Sequence, residues 1–199
     1  ALPVYNNGVL FIPRFDRSVQ VDQVNRNAQE SLASLLDIVG FDSNPRHNDA
    51  CLAICKYCTD PLPELSEYLR RDVVNLALGN KDNHARNTAF TRNIQGNLQL
   101  TPLFDFAPMV LHPDGIARRM RWQEETASEP QWADVIRFIE QLHPGATPHL
   151  VKSLCSLIQP LTAVHNNPGE YGIEPELFQL IGQHLTTQIK ALHALKDLG

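Results

Sequence analysis

Between residues 64 and 101 the chain passes through three regimes, and this run constrains the fold more than any other part of it. From Glu64 to Leu78 the apolar residues Leu65, Leu69, Val73, Leu76 and Ala77 recur at helical spacing, and Gly79 closes the stripe. Residues 79–87, Gly-Asn-Lys-Asp-Asn-His-Ala-Arg-Asn, are polar and aperiodic. Then Thr88–Thr91 and Leu98–Thr101, separated by a turn at Asn93–Asn97, read as a small hairpin. A polar loop held between a buried helix and a hairpin is a place where side chains are positioned for chemistry.

The rest of the chain is mostly helical. Helical patterns run over 27–39, 48–58, 131–142, 148–159 and 174–198, with Gly40 as a C-cap and Asp60-Pro61-Leu62-Pro63 as a break. Residues 9–15 form a short apolar strand entered through a turn at Asn6-Asn7-Gly8, and Pro13 ends it or puts it at an edge. Residues 110–130 look irregular. The expected class is therefore mainly α with a small β-hairpin.

At 199 residues, 43% hydrophobic and 20% charged, the chain is long enough for one domain with its own core. The net charge of -5 argues against direct nucleic-acid binding, and no stretch reaches the length of a membrane span. The N-terminus has no signal-peptide pattern, and it starts at Ala1 without an initiator Met, so either the Met was removed or the chain begins mid-protein. Three of the four cysteines sit within residues 51–58, poor geometry for a disulfide framework, which points to a reducing cytoplasm. Cys51, Cys55 and Cys58 share helical spacing and read as buried thiols; zinc with His47 or an iron–sulfur cluster are the alternatives.

The loop carries Asp82 and Asn87 in the spacing D-x-x-x-x-N, and Asp105 follows the hairpin in an apolar Leu-Phe-Asp-Phe setting. Phosphoryl transfer needs such a set: one carboxylate to orient a hydroxyl and take its proton, and an amide with a second carboxylate to hold Mg²⁺ against phosphate oxygens. A kinase signature has the same Asp–Asn spacing and a later Asp-Phe-Gly, where this chain has Ala107 in place of Gly. Asp and Asn as ordinary turn and cap residues are the plainer reading.

These motifs resemble those of the HipA-like Ser/Thr kinases. Gly79 to Asn87 is similar to that family's N-x-D-x-H-x-x-N loop, and Leu103-Phe104-Asp105-Phe106-Ala107-Pro108 to its metal motif, with Phe104 where Tyr is common. Pro13-Arg14-Phe15-Asp16-Arg17 resembles its hinge segment, with Pro13 where Glu is usual. The resemblance implies a protein-kinase-like C-terminal lobe, residues 18–199, preceded over 1–17 by the end of an N-lobe strand and the hinge. It implies Asp82 as catalytic base and Asn87 and Asp105 as Mg²⁺ ligands. Pro13, Phe15, His84 and Phe104 would lie near ATP.

The basic group Arg118, Arg119 and Arg121 falls where a kinase has its activation segment and is a candidate for substrate or phosphate contact, a solvated basic loop being the plainer reading. A protein substrate and an antitoxin-type DNA-binding partner are implied by the resemblance alone. A small-molecule or lipid kinase shares the loop chemistry, and a non-catalytic pseudokinase is the other alternative. Neither a Gly-rich phosphate loop nor a lysine before Lys56 is present, so this chain by itself is expected to bind ATP poorly.

Overall fold

The computed structural model describes residues 4–6, 9–40, 43–127 and 129–198. The chain opens with two antiparallel ribbons. Strands β1 (Val4–Asn6) and β2 (Val9–Phe11) pair with Val4 opposite Phe11, and β3 (Arg17–Gln20) and β4 (Gln23–Arg26) pair with Arg17 opposite Arg26. Asn7 and Gly8 of the expected first turn lie outside the described residues. β5 (Ala28–Ser31) leads into the one-turn helix α1 (Leu32–Leu35), then α2 (His47–Tyr57) and α3 (Pro61–Ala77). β6 (Ala89–Arg92) and β7 (Leu98–Leu100) complete a sheet in the order β5-β6-β7. After a 3-10 turn at Met109–Leu111 come the short ribbon β8 (Glu125–Thr126) and β9 (Glu129–Pro130), then α4 (Trp132–Leu142), α5 (Thr147–Cys155), α6 (Ile158–Asn166) and α7 (Pro175–Ala194).

The chain is about half helical, and four small sheets occur among the described residues where one hairpin and a strand over 9–15 were expected. Residues 27–39 are the clearest correction. Their apolar spacing suggested one helix, but Gln29 and Glu30 pair with Thr91 and Phe90 as a sheet edge. Cross-strand pairing overrides local preference there. The helix lasts one turn, Asp37 adopts φ 54°, and Val39 is 91% exposed instead of facing the core. Asp60-Pro61 is likewise a start and not only a break, because proline fits the first turn of α3, where its missing N–H costs nothing. The single helix expected over 148–159 is two. Pro160 cannot give the amide that would extend α5 through Ser156, so α6 begins anew.

Helix α3 is the central strut. Leu65, Leu69, Val73 and Ala77 are fully buried, and the helix packs on α2, α5 and α7. Each buried Leu or Val contributes about 1.5–3 kcal/mol relative to exposure. α7 answers with Ile181, Leu185 and Leu192, and Trp122 and Trp132 lie edge to face within the same core. Cys51 and Cys58 are part of it, and burial pushes their thiols up, Cys58 to about 12. His47 points its Nδ1 at the Tyr68 hydroxyl, not at these thiols. No helix among the described residues is long and apolar enough to cross a membrane. Because α3 is held from three sides, the loop that leaves its C-terminus starts from a fixed point.

Candidate active site

The loop begins at Gly79, whose φ of 72° suits glycine alone at low cost. A Cβ there would come within 2.8 Å of Val110 Cγ1. That closeness has a purpose: the Val110 amide donates to the Gly79 carbonyl at 3.0 Å, tying the end of the Asp105 segment to the start of the loop. The other end of that segment is tied as well, by the Thr101 amide to the Ala89 carbonyl at 2.8 Å. Arg71 of α3 adds a hydrogen bond of 2.7 Å to the Thr101 carbonyl. Residues 101–110 therefore lie along the loop that carries Asp82 and Asn87.

Within the loop the backbone satisfies itself. The Asp82 carbonyl accepts from the His84 amide at 2.9 Å and from Asn87 Nδ2 at 3.1 Å, while the Asn87 amide donates to the His84 carbonyl. The Asn87 amide group is thereby oriented, its NH₂ inward and its Oδ1 at the other end. The Arg86 amide donates to His84 Nδ1 at 3.3 Å, which leaves Nε2 as the protonated nitrogen of a neutral ring. Outside anchors come from α1: Leu32 and Ala33 donate their amides to the Thr88 and Ala85 carbonyls. A helix N-terminus has amides with no partner of its own, and this one spends two on the loop.

Asp82 and Asn87 are partly exposed and Asp105 is exposed. Among the described residues, no protein group donates to either carboxylate. Asp105 adopts φ 53°, a strained region for a residue with a side chain. No group of three or more His, Cys, Asp or Glu among the described residues could hold a metal. Mg²⁺ needs none, because it commonly takes one or two carboxylates and fills its shell with water and phosphate oxygens. Unpartnered carboxylates with an oriented amide fit that donor set.

A shallow cleft of about 290 Å³ runs beside Phe104, lined also by Ile12, Pro13, Phe15 and Gln29. The Phe15 and Phe104 rings stand 5.9 Å apart. Three of the sequence-predicted nucleotide residues, Pro13, Phe15 and Phe104, thus share one cleft, and His84 does not line it. The Phe15 carbonyl accepts a long hydrogen bond of 3.5 Å from Asn27 Nδ2.

The basic cluster divides. Arg119 and Arg121 are exposed, whereas the Arg118 side chain is 10% exposed and sits between carboxylates. It reaches Asp72 Oδ2 of α3 at 2.8 Å and pairs with Glu125, which also accepts the Trp122 amide. Trp122 Nε1 donates to the same Asp72 oxygen at 2.7 Å, and its ring stacks on His47. Arg118 donates to His47 Nε2 at 3.2 Å, so the imidazole is neutral and gives its Nδ1 proton to Tyr68. Burial drives the His47 pKa down to about 4, more than the nearby Asp72 raises it. Burial raises the Asp72 pKa, but the Arg118 guanidinium and the Trp122 hydrogen bond act against it, and the net shift is downward. Although His47 Nε2 is 3.5 Å from Asp72 Oδ1, a neutral ring makes no ion pair there. This network was not foreseen in the sequence. Its one signal was Asp72 itself, an acid beside Val73 on the apolar face of a helix.

Comparison with known proteins follows the same lines. No curated protein matches the chain. Among solved structures, HipA from Shewanella oneidensis MR-1, in a toxin–antitoxin complex with HipB and operator DNA, superposes with a TM-score of 0.62 at 16% identity. The match covers 93% of this chain and 48% of that one, so the chain spans about half the length of that relative. At this identity the likeness speaks for the fold. A family model described as the HipA-like C-terminal domain matches residues 2–162, most of the chain and all the motifs above, and the chain belongs to that family.

Proposed function

We propose that this chain is the catalytic-loop lobe of a Ser/Thr protein kinase of the HipA-like type, transferring the γ-phosphate of ATP to a protein hydroxyl. The observation that carries this reading is the double tie, Thr101 to Ala89 and Val110 to Gly79, which lays the Asp105 segment along the loop of Asp82 and Asn87. Asp82 would accept the proton of the attacking hydroxyl, and its carboxylate has no protein donor to compete with that task. Asn87 Oδ1 and the Asp105 carboxylate would hold Mg²⁺, and the strain at Asp105 is of a kind that collects at functional sites. When bound, the ion would neutralise charge on the transferring phosphoryl group. The cleft between Phe15 and Phe104 would receive the adenine ring. The complex of the Shewanella relative with HipB and DNA supports an antitoxin-type partner for this chain too. Its four free cysteines fit a reducing cytoplasm.

Titration of the 15N-labelled chain with a non-hydrolysable ATP analogue, with and without Mg²⁺, tests the reading even if affinity is weak. Shifts at Asn87 and Asp105 that require Mg²⁺ are expected. Their absence at millimolar nucleotide would count against the assignment.

A further inference from the structure

Helix α3 leads into the loop of Asp82 and Asn87, and its charged side chains also grip the strand end from which the Asp105 segment departs. Glu64 Oε2 accepts the Leu100 amide at 2.8 Å. Two turns further along the same helix, Arg71 Nη2 donates to the Thr101 carbonyl at 2.7 Å. With the Thr101 amide taken by the Ala89 carbonyl, both backbone groups of Thr101 are fixed.

Arg71 is itself held in place. Its side chain is 13% exposed, and its Nε donates to Glu67 Oε1 at 2.8 Å, so a carboxylate one turn back orients the guanidinium. Thr101 is fully buried, and among the described residues no other group donates to its carbonyl. Beyond Thr101 this support ends. Among the described residues, no hydrogen bond joins residues 102–106 to any other part of the chain, and Pro102, Leu103 and Asp105 are exposed. The Phe104 ring meets Phe15, but the backbone that carries Asp105 is fixed only at its two ends. Thr101 is the nearer end, four residues away.

We infer that Arg71, oriented by Glu67, is a positioning residue for Asp105. One helix then sets both halves of the site: its C-terminus delivers Asp82 and Asn87, and its Arg71 pins the base of the segment that delivers Asp105. This role rests on the phosphotransfer reading above, in which Asn87 and Asp105 hold Mg²⁺. Mg²⁺ demands near-ideal ligand geometry, so a carboxylate on an otherwise unbonded segment depends on its anchor. Arg70 supplies the comparison for a purely structural role. It donates to the Ser153 carbonyl at 3.0 Å and to Ser156 Oγ at 2.7 Å, and so ties α3 to α5 and not to the Asp105 segment.

The test compares the 15N-labelled chain with Arg71→Met, Arg71→Lys and Arg70→Met, each below its unfolding temperature. Without ligand, the backbone amides of Leu103 to Phe106 are expected to shift or broaden in Arg71→Met and to keep their wild-type positions in Arg70→Met. At a fixed millimolar concentration of a non-hydrolysable ATP analogue, the Mg²⁺ concentration for half-maximal shift at Asn87 and Asp105 should rise roughly 10–100-fold in Arg71→Met. It should recover at least in part in Arg71→Lys, which keeps a cationic donor, and hold its wild-type value in Arg70→Met. Unmoved amides at Leu103 to Phe106, an unchanged Mg²⁺ midpoint in Arg71→Met, or equal losses in Arg71→Met and Arg70→Met would each overturn the proposal. Should Arg71→Met not fold, Glu67→Gln, at a 45% exposed position, carries the same test. It loosens the guanidinium and should move the same amides and the same midpoint in the same direction, and no movement would overturn the role. A wild-type chain without Mg²⁺-dependent shifts at Asn87 and Asp105 would remove the phosphotransfer reading and this role with it. A wild-type response left intact by Arg71→Met would remove only the role of Arg71.

Discussion

Arg118 and Asp72 meet at 2.8 Å beneath the surface, and their pair joins the central helix α3 to the segment between Asp105 and β8. Asp72 is 1% exposed and Glu125, the second partner of Arg118, 8%. The pair therefore holds that segment on the helix that also carries the loop of Asp82 and Asn87.

Removing one partner of such a pair strands the others. Arg118→Met leaves the buried Asp72 without its cation and Glu125 with Arg121 alone, and is expected to destabilise the chain by about 3–5 kcal/mol. Urea denaturation measures this. Adding Asp72→Asn to Arg118→Met should recover part of the loss, since the stranded charge is gone. A single-variant loss below about 1 kcal/mol would show that the pair is not insulated as its burial implies.

Acid should act first through His47. Its folded pKa, about 4, lies below the ordinary 6.5, so the unfolded chain takes up the proton before the folded one does. Stability from this group is full above pH 6.5 and falls by up to about 1.4 kcal/mol per pH unit toward about 4. Asp72 is depressed as well, and adds a further loss as pH drops below its ordinary 3.8. Following the His47 ring proton by NMR checks the first step. A resonance titrating near 6.5 in the folded chain would contradict a buried, neutral imidazole.

Gly79 is expected to be intolerant of any side chain. Gly79→Ala imposes a left-handed backbone on an L residue and drives its Cβ to 2.8 Å from Val110 Cγ1. The combined cost should be about 2–4 kcal/mol. The amide hydrogen of Val110, bonded to the Gly79 carbonyl, should also exchange faster in the variant. Unchanged exchange would mean that the tie survives the substitution.

In the full-length protein, Asp82→Asn should reduce phosphate transfer by roughly 10²–10⁴-fold while leaving thermal unfolding near wild type, because a partly exposed carboxylate without a protein donor supports no buried contact. Asp105→Ala should abolish the Mg²⁺-dependent part of nucleotide binding. It should give up no protein hydrogen bond, and its cost to the fold should be limited to the poorer tolerance of Ala for the left-handed backbone at φ 53°. Activity within a few-fold of wild type in Asp82→Asn would move the role of base to another residue.

What the sequence determined by itself was local and periodic. The stripe Leu65–Leu69–Val73–Ala77 identified α3, the change of period at Gly79 marked the loop, and the D-x-x-x-x-N spacing with Asp105 singled out the candidate chemistry. Such signals are readable because a helix face and a loop motif are each written in neighbouring residues. Only the tertiary structure decided that residues 28–31 are a strand, because their pairing partners lie some sixty positions away. It likewise placed Arg118 in a carboxylate pocket and not at the surface, since Asp72 reaches it from a separate element forty-six residues distant. The unpaired oxygen of Asn80 is a fact of the same kind: sequence places the amide in the loop, but only packing against Asn75 decides which end of it is bonded and which is buried without a partner.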